Sequence, residues 1–202
     1  MADLFQDKAA EWDQRPVPAQ ISEGVFAAIE REVRLDASLT VMDFGAGTGL
    51  IAARIAPRVR ALLAVDVSRS MLDQLSKKPE LAERATVYCQ DILEAPLGRS
   101  VDLIVSAMAM HHVRDTAALA RAFYAHTTPG GRVALADLDA EDGSFHPPGT
   151  EGVFHHGFDR ESLGRIMRDA GFDDVRFCTA CEVDRESKRY PIFLLTARRP
   201  NL

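Results

Sequence analysis

The sequence predicts an α/β domain in which a mostly parallel sheet, covered by helices, is closed by an antiparallel pair at the carboxyl end. Three observations predict it. From Thr40 onward, apolar runs of four to six residues alternate with amphipathic stretches, the pattern of buried parallel strands joined by helical crossovers. A late helix is bounded by a possible cap at Asp159 and by Gly171. Two strand-like segments then follow so closely that only an antiparallel pairing suits them.

The elements come in this order. Residues 1–36 hold the segment FQDKAAEWDQRPVP and then a helix on which Ile21, Val25, Ala28 and Ile29 form a stripe. LTVMDF is the first strand; a turn with glycines at 45, 47 and 49 leads into a helix around Leu50 to Ala56. ALLAVD is the second strand, with a helix over Ser68 to Lys77, and ATVYC and VDLIVS are the third and fourth. The helix over Asp115 to Thr127 puts Leu119, Ala122 and Phe123 on one face, and Gly130 and Gly131 are expected to stop it. RVALAD is the fifth strand. A Gly-, Pro- and acid-rich connection, Leu138 to Gly157, stands outside the alternation and with residues 1–36 is placed to cover a cleft. The Asp159 to Ala170 helix carries Leu163, Ile166, Met167 and Ala170 at helical spacing. Val175 to Val183 and Pro191 to Ala197 are the closing strands, joined by a charged turn through Arg185, Ser187 and Lys188.

With 202 residues and 47% apolar content the chain is expected to form one domain over residues 1–202, without a need for disulfides. Its 24 basic and 30 acidic residues leave a net charge of -6, which disfavours nucleic acid as a partner. No stretch resembles a signal peptide or approaches the roughly 20 apolar residues of a membrane span, so no membrane partner and a cytoplasmic location are expected. Cys178 and Cys181 form a CxxC within a strand, where residues three apart point to opposite faces; a structural role is expected and no metal site.

The stretch TVMDFGAGTGL carries the strongest functional signal. Glycine tolerates positive φ and lets main chain approach a ligand at a strand-to-helix turn. Such a turn alone fits several nucleotide cofactors, or a purely structural role. Its context narrows the choice, because three consecutive strands end in Asp43, Asp66 and Asp91, at the edge where open α/β sheets bind ligands. Each acid singly also suits a helix cap or turn. A pyrophosphate matches so many acids poorly, whereas an adenosine joined to a sulfonium and an ammonium group fits their charge. That ligand is S-adenosyl-L-methionine.

On these motifs the chain resembles the class I S-adenosylmethionine-dependent methyltransferases, close to the small-molecule group called type 11. DFGAGTG matches the family's (D/E)xGxGxG motif, and the resemblance runs over roughly residues 5–197. It implies a Rossmann-like three-layer sandwich with a mostly parallel seven-stranded sheet of order 3-2-1-4-5-7-6 and an antiparallel last strand. It also implies that Asp43, Gly45, Ala46, Gly47 and Gly49 line the methionine part of the cofactor, that Asp66 binds the ribose, that Val67, Asp91 and Ile92 hold the adenine, and that Ala107 borders the same site. The product would be S-adenosyl-L-homocysteine, and residues 1–36 would fold over the site as a helical lid. Trp12 then serves either as part of that lid or as an anchor for the first helix.

Methyl transfer is a displacement at carbon, so an acceptor needs a general base only if it must lose a proton. His111, His112 and His156 are the candidates for that role or for positioning a substrate, the first pair following the fourth strand and the last ending the long connection. A metal held by His146, His155 and His156 lacks a recognised ligand spacing. The turn SAMAMHH has no NPPY-like tetrapeptide of the amino-methylating relatives, so a small-molecule acceptor is expected. Two other readings stay open: a nicotinamide-dependent oxidoreductase, whose GxGxxG would need glycine where Leu50 stands, and a non-catalytic protein that binds the cofactor.

Overall fold

Strands buried on both faces must send successive side chains into two separate cores, and this chain does so. The computed structural model describes residues 3–185 and 188–201. Its strands are β1 (Thr40–Phe44), β2 (Ala61–Asp66), β3 (Ala85–Cys89), β4 (Val101–Ala107), β5 (Thr127–Leu138), β6 (Asp173–Arg185) and β7 (Lys188–Arg198). They form one sheet in the order β3-β2-β1-β4-β5-β7-β6, as the resemblance implies. The first five are mutually parallel, and β7 runs antiparallel to both β5 and β6.

Helices α1 (Pro16–Glu32), α2 (Leu50–Ile55), α3 (Arg69–Leu75), α4 (Pro79–Ala82), α5 (Thr116–His126) and α6 (Arg160–Asp169) cover the sheet. Val41, Leu62, Ala64, Leu103 and Val105 pack with Ile29, Ile55 and Leu72 on one side. Their strand neighbours Met42, Leu63, Val65 and Ile104 pack with Phe123, Leu163 and Met167 on the other. Side-chain caps start three helices where the sequence predicts them: Ser68 Oγ accepts from Met71 N, Asp115 from Ala118 N and Asp159 from Ser162 N.

Two expectations are corrected. Gly130 and Gly131 do not stop α5, which ends at His126; β5 begins at Thr127 and runs through both glycines. They serve an irregularity in the pairing with β4, where a Cβ on Gly131 would lie 2.9 Å from the Asp102 carbonyl. Secondly, Cys178 and Cys181 share a face. A register shift between Thr179 and Cys181 inserts one residue into β6, so both pack on the α1 side. Both are free thiols. Helix α1 belongs to the core layer, burying Ile21, Val25, Phe26, Ala28 and Ile29. Of the predicted charged turn, Ser187 lies outside the described residues, while Arg185 and Lys188 pair across the end of the hairpin.

Candidate active site

The three acids lie at the carboxyl ends of the adjacent strands β1, β2 and β3. Asp43 is 2% exposed and its Oδ2 has no hydrogen-bond partner. Burial, and then the neighbouring charge of Asp66, push its carboxyl up to about 8. The turn after Asp43 hooks over β2, since Gly45 N and Ala46 N both donate to the Val65 carbonyl, at 2.8 and 3.1 Å.

Asp66 faces that turn from the end of β2. Its Oδ2 accepts from Gly47 N and its Oδ1 from Ser68 N, each at 2.8 Å. Burial raises its carboxyl, and those two amides pull it back. Gly47 has φ +54, and a Cβ there would meet nothing within 4 Å, so the turn is open on that side. Gly49, at φ +84, instead admits Leu75 and Leu81, which a Cβ would approach to 2.8 and 2.9 Å. Val67 is 62% exposed beside Asp66, a free apolar surface at the ligand edge. Asp91 Oδ1 accepts from Leu93 N at 2.8 Å and shapes the turn after β3. Ile92 is buried in the same core as Leu63, Val65 and Ile104 and anchors that turn. Ala107 ends β4, half-buried, ahead of Met108 in the left-handed region at φ 58.

The histidines separate into two groups. His111 is buried at the turn after β4, and its Nδ1 lies 2.7 Å from Asp137 Oδ1. Asp137, at the end of β5, also takes His111 N on Oδ2 at 3.2 Å and Leu138 N on Oδ1 at 2.8 Å. His112 places Nδ1 2.7 Å from the Gly152 carbonyl. The ring of His146 stands 5.0 Å from that of His111 and 6.1 Å from that of His112. Burial, and then the neighbouring histidines, hold both His112 and His146 down at about 4. By contrast, His155 Nε2 pins the connection to the Val113 and Arg114 carbonyls. His156 is exposed, with Nδ1 3.8 Å from Glu141, and does not join the cluster.

Residues 3–14 reach across both halves. Asp13 accepts from Thr48 Oγ1 at 2.5 Å beside the glycine turn and pairs with Lys78 at 2.6 Å. Asp3 Oδ2 takes the amide and hydroxyl of Ser70 at 3.0 and 2.8 Å. Phe5 stands edge-on to His112 at 5.5 Å and to Trp12 at 5.8 Å, and Arg15 lies over Trp12 at 5.3 Å. Trp12 thus packs within this amino-terminal segment. Sequence reasoning missed Asp137 and His146 as members of the site. Among the described residues no group of three His, Cys, Asp or Glu side chains is arranged to hold a metal. A cleft of about 510 Å³ near Asp102, Gly131 and Asn201 opens at the opposite edge of the sheet, away from the strand ends where such sheets bind ligands.

A glycine turn between β1 and α2, acids at three neighbouring strand ends and this strand order define a Rossmann-like methyltransferase fold. A methyltransferase domain family matches residues 16–176, and the chain belongs to that family. It is 29% identical over 154 residues to an uncharacterised methyltransferase of Schizosaccharomyces pombe, covering 68% of this chain and 54% of that one. To an uncharacterised methyltransferase of Geobacillus thermodenitrificans it is 30% identical, covering 69% of this chain and 67% of that one. The chain spans about half the length of the first curated relatives it matches. Among solved structures, a DhpI–SAH complex superposes with a TM-score of 0.77 at 18% identity, over 98% of this chain and 95% of that one. No helix of the described residues is long and apolar enough to cross a membrane.

Proposed function

We propose that the chain binds S-adenosylmethionine at the carboxyl edge of β1 and β2 and transfers its methyl group to a small-molecule acceptor. The buried, unpartnered oxygen of Asp43 carries this reading. A buried carboxyl with one oxygen left without a donor suits a ligand that brings positive charge or N–H groups. The open side of the turn at Gly47 suits a ligand resting there.

The methionine part would lie along Asp43 to Gly49, the ribose hydroxyls would meet Asp66, and the adenine would pack on Val67 near Asp91, with Ala107 at the border of the acceptor space. When bound, the cofactor supplies a methyl group on a sulfonium. The chain supplies orientation, a term worth about 7 to 11 kcal/mol when reacting groups are held in line. We assign to residues 3–14 the part of a lid, because they tie the glycine turn to the histidine cluster through Thr48, Ser70 and His112. Closing that segment excludes water from the reacting groups. Of the three histidines expected at the substrate, our reading keeps His111 and His112, which cluster with Asp137, and leaves out His156, which is exposed beside Glu141. The net charge of -6 favours a small acceptor over nucleic acid, and the three free cysteines suit a reducing, cytoplasmic setting.

The test is S-adenosylhomocysteine release from S-adenosylmethionine across phenols, amines, thiols and carboxylates. Release coupled to a methylated product is expected. Tight cofactor binding with no transfer to any class would favour the non-catalytic reading.

A further inference from the structure

A carboxylate only accepts hydrogen bonds, so the 2.7 Å contact with Asp137 Oδ1 places a proton on His111 Nδ1. The second carboxylate oxygen holds the same residue by its main chain, so Asp137 fixes both the ring and its tautomer. In the neutral ring that leaves a lone pair on Nε2, an atom fully buried and without any partner. A buried acceptor without a donor is costly, and a substrate hydroxyl is a donor that would satisfy it. Among the described residues, the carboxylate bonded to the ring, Asp137, already spends both oxygens on His111 and Leu138. The titratable groups around the pair are His112 and His146, with Lys8 and Arg185 farther out, and Glu141, whose Oε2 accepts from Phe145 N next to His146.

The geometry points to His111 as the proton acceptor of the reaction, positioned by Asp137, and hence to a substrate that reacts through an acidic hydroxyl of the phenol or enol type. This rests on the methyl-transfer reading above. The oxygen forms its bond to the methyl carbon as the carbon–sulfur bond breaks and the sulfur keeps that electron pair. The hydroxyl proton passes to Nε2, and Asp137 stabilises the imidazolium. An ammonium substrate fits poorly, since it would carry its charge toward Lys8 and Arg185 while Asp137, the carboxylate on the ring, is already engaged. An alkyl alcohol holds its proton too tightly for an imidazole, whereas a phenol matches the base far more closely.

The test is nitrogen NMR of the histidine rings in the full chain with S-adenosylhomocysteine bound, before and after adding phenol, catechol or benzylamine. Expected is a His111 ring protonated on Nδ1 and bare on Nε2, whose Nε2 signal moves with phenol or catechol and stays put with benzylamine. With S-adenosylmethionine as donor, the hydroxyl compound that moves Nε2 is methylated on oxygen. His111→Gln and Asp137→Asn should each lower kcat by about a hundredfold with KM little changed. The wild-type rise of kcat with pH, through one ionisation, should shift in Asp137→Asn. An Nε2 signal indifferent to both hydroxyl compounds, an equal response to benzylamine, or full kcat in His111→Gln overturns the assignment. Failure of the wild-type chain to bind S-adenosylhomocysteine would instead overturn the methyl-transfer reading beneath it.

Discussion

Asp66 and Asp43 do different work although both end apolar strands. Asp66 already accepts two backbone amides, and in the ligand-bound protein it would exchange or share them for ribose hydroxyls. Asp66→Ala should weaken S-adenosylhomocysteine binding by about 1 to 3 kcal/mol, through the hydroxyls left unpaired; calorimetric affinity equal to wild type would remove it from the ribose site. Asp43 makes a prediction about pH. Its carboxyl titrates near 3.8 when free and at about 8 in the fold, so over that interval the folded chain holds a proton that the unfolded chain has lost. The stability from that proton is complete below the free value and is lost as pH rises through the folded one. Melting of the protein alone should therefore fall more steeply with rising pH than in Asp43→Asn. A bound ammonium beside the carboxyl should flatten the wild-type slope and release the proton. The acids were legible in sequence because each sits within two residues of the end of an apolar strand run. Asp137 and His146 were not, since the pairing of Asp137 with His111 depends on β4 and β5 lying side by side, and His146 stands in a connection without periodicity.

At the scale of elements, the strands were legible because burial on both faces leaves a run of apolar residues that few other structures require. What escaped was where the ladder slips. A bulge costs one residue and has no composition of its own, so the strict alternation that separates Cys178 from Cys181 fails at Ala180, and the glycines of β5 imitate a helix stop. The slip has a packing consequence at Gly24, where α1 crosses β6. A Cβ at Gly24 would lie 2.4 Å from Cys181 Cβ. Helix propensity alone favours alanine there by about 1 kcal/mol. The steric term should win, because two Cβ atoms cannot move without their backbones. Gly24→Ala is expected to lower the melting temperature, and a rise would mean that α1 does not sit this tightly on the sheet.

For the whole molecule, a rigid sheet presents acids and histidines along one edge, and an amino-terminal segment ties over them. Two cores hold that edge in place from either side, so the cover can be removed without dismantling them. A chain starting at Arg15 should keep its helix and sheet content, as read by circular dichroism. Its affinity for S-adenosylhomocysteine should fall, because the Asp13 contact with Thr48 and the Asp3 contact with Ser70 are lost. Unchanged affinity would make the segment a surface appendage. The central claim is that the edge of β1 and β2 is a site for S-adenosylmethionine and not for a dinucleotide. Calorimetric titration of the full chain with S-adenosylhomocysteine, and separately with NADH, tests it most directly. Saturable binding of the first and none of the second is expected; NADH binding without S-adenosylhomocysteine binding would rule the site out.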